Sequence, residues 1–274
     1  MFLGSGVSAS SVSSIDGASR PPTWEAFLKS ALAEIRDTKQ KRIVSKCLKE
    51  GDYLQACEFI KKFLDDEWVP FLKKSFQSPK FEPSDLHKAI HGLDASLVLT
   101  PNFDTIYDTF VSSETKGSTE VKSYTDVDII RSVRQTERLV IKVHGTIDTS
   151  TEMVFTRSDY ARVRSANSDF YKLIDSLMLT RTFLFIGAGL SDPDVQLLLE
   201  GYNYLYPTAP PHYMFQRASN SLTPHHVEQA RSNYNLKILQ YKNTSDHSDL
   251  LKQIKELSNE VSNRRLEMAA GQSW

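Results

Sequence analysis

Four short polar motifs each stand directly behind an apolar run: Gly4-Ser5-Gly6, Asn102-Phe103-Asp104, His144-Gly145 and Gly187-Ala188-Gly189. If those runs are parallel strands, motifs far apart in the chain arrive together at the carboxyl edge of one sheet, where open α/β folds bind nucleotides. The runs have the required form. Run 95–100 ends at Pro101, and proline biases Thr100 to extended geometry. Run 139–143 ends at His144, and run 182–186, the most apolar, reads as a central strand covered on both faces. Two later runs, 213–215 and 236–239, extend the series, and the helical stretches 170–179 and 195–204 are spaced as βαβ crossovers. The prediction is an α/β fold, a doubly wound, Rossmann-like parallel sheet.

The rest of the chain is fitted around that sheet. Only three residues precede Gly4, fewer than a strand normally has, so the first strand is expected to begin upstream of Met1. Thr23 is a candidate cap for a helix with Phe27, Leu28 and Leu32 on its inner face. From there to Leu93 the apolar spacing is helical throughout, with Gly51-Asp52 as a break, which predicts a helical insertion over about 20–93 laid across the sheet edge. Leu250, Leu251, Ile254, Leu257 and Val261 predict an amphipathic helix over about 246–268, packed on its own domain or serving as a self-association seam. One domain, 1–274, holds all of this. With 274 residues and 40% hydrophobic content, it can bury its core without staples.

Charge and cysteine content exclude several function classes. Lys and Arg number 33 against 34 Asp and Glu, so no global field draws the chain to nucleic acid or an anionic membrane. Cys47 and Cys57 make no disulfide framework and cannot fill a four-ligand zinc site, which points to a reducing, cytoplasmic compartment. Met1-Phe2-Leu3 is too short for a signal peptide, and no run approaches the ~20 apolar residues of a spanning helix. His87 and His91 have the i, i+4 spacing of a metal pair but no third ligand, so no metal is assigned.

Each motif has a bland reading beside the chemical one. Gly4-Ser5-Gly6-Val7-Ser8 offers a tight backbone with exposed N–H groups suited to a diphosphate, but an ordinary glycine turn accounts for it as well. In 187–194, Ser191 or Asp192 can cap a helix whose first turn holds Pro193, and the same residues can meet a ribose or adenine. Asn102 with Asp104 can recognise a carboxamide, or simply make a turn. His144 emerges at the sheet edge, where an imidazole can act as general base or be held structurally.

In combination these motifs resemble the sirtuin family, specifically the sirtuin-like NAD-hydrolysing domains of bacterial anti-phage defence systems. The resemblance rests on Gly4-Ser5-Gly6-Val7-Ser8, Pro22-Thr23-Trp24, Thr100-Pro101-Asn102-Phe103-Asp104 and Val143-His144-Gly145, with the stretches 154–160 and 185–192 completing it. It implies that Gly4, Ser5, Gly6 and Ser8 line the phosphates and adjacent ribose of NAD+, the substrate. It implies too that Asn102 and Asp104 hold the nicotinamide end, that His144 bonds the ribose hydroxyls and acts as base, and that Gly187, Gly189, Ser191 and Asp192 receive the adenosine half. Deacylating sirtuins carry a zinc module with paired Cys-x-x-Cys motifs after the histidine, and no cysteine follows Cys57 here. Water then replaces acyl-lysine as the nucleophile, giving nicotinamide and ADP-ribose. The resemblance further implies the toxic effector of an abortive-infection system, a homo-oligomer switched on by a HerA-type ATPase or another sensor. A deacylase, and a module that binds NAD or ADP-ribose without turnover, are the competing readings.

Overall fold

The computed structural model of the chain describes residues 1–189, 193–206, 208–219, 222–244 and 246–271. Its strands are β1 (Phe2–Leu3), β2 (Val12–Ser13), β3 (Phe81–Glu82), β4 (Leu97–Thr100), β5 (Glu120–Ser123), β6 (Leu139–Lys142), β7 (Leu184–Ile186), β8 (His212–Arg217) and β9 (Leu236–Tyr241). Seven of them form one sheet in the order β5-β6-β4-β1-β7-β8-β9, and every neighbouring pair is parallel. The doubly wound, Rossmann-like sheet is therefore present.

From β1 the chain builds outward through β4 on one side and later returns to β7 on the other. The strand order reverses beside β1, the position at which such sheets open a crevice beyond their carboxyl ends. Successive residues of a strand point to opposite faces. Leu97 and Leu99 accordingly join a core with Phe185, Met214, Leu177 and Leu199, the last two from helices Ser168–Thr180 and Pro193–Leu205. Val98 instead meets Leu3 and Ile186 beneath helices Asp85–Gly92 and Ser248–Gly271, which contribute Ile90, Leu250 and Ile254. The C-terminal amphipathic helix thus packs on its own domain.

A third core is built from helices Trp24–Glu34, Thr38–Lys49, Tyr53–Leu64 and Trp68–Phe76. Thr23 caps the first of these and Asp52 the third, and the break falls at Gly51 as expected. The bundle closes over Ile147, Met153 and Phe155, which come from the segment after β6. It therefore stands on the carboxyl edge of the sheet rather than beside it. The expectation of helix from the Gly51-Asp52 break to Leu93 is corrected at Phe81–Glu82, which pairs antiparallel with Val12–Ser13. Pro79 and Pro83 flank this dipeptide and disfavour helical backbone on either side. Edge strand β5 was not anticipated, because Glu120-Val121-Lys122-Ser123 has no apolar run.

Two buried histidines make acid stability testable. His87 Nδ1 accepts from the Ser84 N–H at 3.2 Å in a capping box, and His212 Nδ1 accepts from the Phe183 N–H at 3.1 Å. Burial lowers each imidazole to about 4. The unfolded chain takes up these protons near pH 6.5 and the folded one only near pH 4, so their contribution is whole above 6.5 and is lost as pH falls toward 4. Each histidine accounts for on the order of 3 kcal/mol of that loss. Denaturant unfolding at pH 7 and 4.5 checks this. His87→Gln, which keeps an acceptor for Ser84, should flatten the pH dependence by the share of one such histidine.

Candidate functional site

The four strand-end motifs meet. A cavity of about 640 Å³ opens at the carboxyl edge, within the usual ligand-pocket range of roughly 300–1,000 Å³. Asn102, Asp104 and His144 all line it, and so do Gly4, Ser5, Ser8, Gly187 and Gly189. Gly6 is exposed and is not among the lining residues. Ser191 and Asp192 fall outside the described residues.

The glycines form a ledge in which the loops after β1 and β7 touch backbone to backbone. The Gly4 N–H donates to Ile186 O at 3.0 Å, and the Gly6 N–H to Gly187 O at 2.9 Å. A Cβ on Gly4 would sit 2.5 Å from Ala188 Cα, and one on Gly6 would sit 2.9 Å from Gly187 Cα. The expectation of exposed N–H groups at Gly4 and Gly6 is thereby corrected, since both amides are engaged in joining the loops. What these glycines supply is close approach. Ser5, at the start of the single turn Ser5–Ser8, is exposed and borders the cavity.

The Asn102 loop is fixed from β4 onward. Thr100 Oγ1 donates to Leu3 O at 2.8 Å and accepts from the Asn102 N–H at 3.1 Å, tying the strand end to its neighbour β1. Asn102 Nδ2 donates to Gly4 O at 3.0 Å and to Ser8 Oγ at 2.9 Å. Its donor side is held by protein, so Oδ1 is the face of the amide that remains for a ligand. Ser8 Oγ in turn donates to Asp104 Oδ2 at 2.6 Å, while Asp104 Oδ1 accepts from the Ile106 N–H at 3.1 Å. Asn102 and Asp104 therefore make a turn and present an amide at once, and Asp104 is buried.

His144 leaves β6 at the same edge. Its carbonyl accepts from the Val154 N–H at 3.0 Å, and its ring meets Tyr160 edge-on with centroids 5.2 Å apart. Gly145, at φ +82, turns the chain immediately after it. The opposite wall comes from the helical bundle, through Trp24, Asp52 and Tyr53, and from Arg157. Arg157 NH2 bridges both Asp52 carboxylate oxygens at 2.9 and 3.0 Å, and Ser158 Oγ donates to Glu58 at 2.8 Å. The bundle is thus clasped to helix Arg157–Ala166 across the cavity rim.

Asp52 and Tyr53 were not identified from sequence as site residues, because nothing local marks a bundle residue as facing a distant sheet edge, and Tyr160 of helix Arg157–Ala166 was not singled out within the stretch 154–160. Lys142 was missed as well, although its signal was visible: a lysine inside the apolar run 139–143 places a charge in a strand buried on both faces. Among the described residues no group of three or more His, Cys, Asp or Glu is placed to hold a metal ion, and no helix is long and apolar enough to cross a membrane.

The profile of the SIR2-like domain family matches residues 96–239, more than half of the 274 residues and inclusive of Asn102, Asp104, His144, Gly187 and Gly189. Similar curated proteins include the NAD(+) hydrolase ThsA of Enterococcus faecium, 27% identical over 50% of this chain and 29% of its own length. The NAD(+) hydrolase ThsA of Cytobacillus dafuensis is 23% identical over 83% of this chain and 42% of its own. That of Bacillus cereus (strain MSX-D12) is 25% identical over 47% and 27%. The chain thus spans less than half the length of each of these relatives.

Proposed function

The chain belongs to the SIR2-like domain family, and from that premise we propose that it is an NAD+ hydrolase releasing nicotinamide and ADP-ribose. The observation that carries the reading is the convergence of Asn102, Asp104 and His144 on one cavity floored by the glycine ledge, in a family with relatives named NAD(+) hydrolase. Gly4, Ser5, Gly187 and Gly189 border the diphosphate and the adenosine half, with Gly6 joining the ledge through its contact with Gly187. Asn102 Oδ1 meets the nicotinamide end, held in place through Ser8 and Asp104. His144 bonds the ribose hydroxyls.

The chemistry asks little acid of the site. As the bond between C1′ and the nicotinamide nitrogen breaks, its electron pair returns to the cationic ring, which leaves neutral. Water adds to the oxocarbenium-like C1′, and its proton passes to His144 and then to solvent. What the protein supplies is a held ribose, electrostatic support for the cationic centre and a placed base. No cysteine follows Cys57, so the paired-cysteine zinc module of deacylating sirtuins has no counterpart and water is the acceptor. An activity that drains NAD+ has to be silent until triggered. We assign the trigger to a HerA-type ATPase or comparable sensor, and the chain itself to the effector half of a cytoplasmic, homo-oligomeric anti-phage pair.

Incubation with NAD+, with and without the ATPase partner, tests the reading directly. Nicotinamide and ADP-ribose are expected in equal amounts, with no O-acetyl-ADP-ribose when acetylated peptide is added. Tight NAD+ binding with no turnover in either arm would make the chain a binding module instead.

A further inference from the structure

One buried charge behind the cavity wall has no part in that chemistry. Lys142 is 1% exposed, one of the largest fully buried side chains of the protein. It ends β6 directly opposite Thr100, the last residue of β4 before the Asn102 loop. Its Nζ pairs with Asp108 Oδ2 at 2.8 Å and also donates to the main-chain carbonyl of Asp104. Asp108 lies on helix Ile106–Glu114 and is itself buried; desolvation pushes its carboxyl up, and the Lys142 charge opposes that.

Resting on the NAD+ hydrolase reading, we propose that Lys142, paired with Asp108, is the positioning residue that sets the Asn102–Asp104 loop against His144. Past Thr100 the ladder with β6 stops, and Pro101 has no N–H with which to continue it. Thr100 Oγ1 fixes the start of the loop through the Asn102 N–H, and Lys142 fixes its end through the Asp104 carbonyl. The Asp104 carboxylate then receives Ser8, whose oxygen receives Asn102 Nδ2. Lys142 and His144 are two residues apart on one strand end, so the strand that carries the base also sets the register of the amide. A buried ion pair seldom outperforms apolar groups of the same volume in stability. Its value here is geometric: it is a donor aimed at a carbonyl that the sheet leaves without a ladder partner.

The double variant Lys142→Met/Asp108→Leu separates position from stability. Its melting temperature is expected to stay within a few degrees of the wild type, while kcat falls at least roughly tenfold, as displacement of a positioned group does, and KM for NAD+ changes little. Amide hydrogen exchange over residues 102–106 should quicken, with β4 and β6 as protected as before. Full activity in the folded variant overturns the proposal, and so does unchanged protection over 102–106. The exchange measurement stands without turnover, so a wild type that leaves NAD+ intact even with the ATPase partner present defeats the hydrolase reading while exchange still decides the positioning role. If the double variant does not fold, Lys142→Met/Asp108→Asn, which leaves no unpaired charge and keeps a polar group at 108, is read by the same two measurements.

Discussion

Asn102→Ala and His144→Phe are each expected to lower NAD+ hydrolysis by on the order of 10²- to 10⁴-fold, the range that loss of a positioned acid–base group produces. For His144 the phenyl ring is the informative replacement. The imidazole is buried against Tyr160, so alanine would open a cavity and confuse lost chemistry with lost packing. Phenylalanine keeps the edge-on contact and removes both nitrogens. For Asn102, alanine removes Oδ1 and also releases Ser8 Oγ and Gly4 O from the amide. Asn102→Asp sharpens the test, because it keeps the shape but turns an acceptor toward Gly4 O, where a donor is needed. Asn102→Ala and His144→Phe should melt within a few degrees of wild type, and Asn102→Asp lower than either, because its carboxylate faces Gly4 O. Chromatographic assay of nicotinamide release, with circular dichroism for the fold, checks the pair of outcomes. Undiminished hydrolysis by His144→Phe would remove the histidine from the proposed mechanism.

The sheet was legible because its central strands are buried on both faces and so read as short apolar runs, each closed by a polar motif. β4, β6 and β7 fall within the runs 95–100, 139–143 and 182–186. β5 is an edge strand whose first two residues are exposed and whose last two are half-buried, and its charged sequence carries no such signature. The Phe81–Glu82 strand was hidden between helices of ordinary periodicity, although its flanking prolines marked it. The cavity followed the same division. Residues at strand ends were found, since topology alone brings them together. The wall made by Asp52, Tyr53 and Arg157 was not, because it depends on how a separate helical core leans over the edge.

The glycine ledge shows why a motif can be located from sequence and its physical role still be misjudged. Gly-x-Gly behind a strand suggests free amides for a phosphate, yet at Gly4 and Gly6 the donors are engaged by the β7 loop. The absent Cβ atoms let the loops after β1 and β7 approach closely, and the carbonyl of the same Gly4 accepts from Asn102 Nδ2. Ledge and amide are therefore one assembly, and disturbing the first displaces the second.

Gly187→Ala should accordingly cost both stability and activity. Two penalties combine at this position. Its φ of +62 places it in the left-handed region, where a side chain costs about 1 kcal/mol. A Cβ would also meet the Val7 nitrogen at 2.5 Å and the Gly6 carbonyl carbon at 2.9 Å, both backbone atoms, so the loops must part, at roughly 1–3 kcal/mol. Together these predict a loss of about 2–4 kcal/mol and a fall in melting temperature of roughly 5–15 °C. Gly117→Ala separates the terms. Gly117 has φ +82 but nothing within 4 Å of its would-be Cβ, so it should show the conformational penalty alone, about 1 kcal/mol, and unchanged hydrolysis. Gly4→Ala supplies the converse, a close backbone contact at 2.5 Å without positive φ. If close approach is what the ledge provides, Gly4→Ala and Gly187→Ala lose hydrolysis at temperatures where both remain folded, whereas Gly117→Ala does not. Equal stability loss at Gly187 and Gly117 would mean that the loops accommodate a methyl group and that the ledge is an ordinary turn.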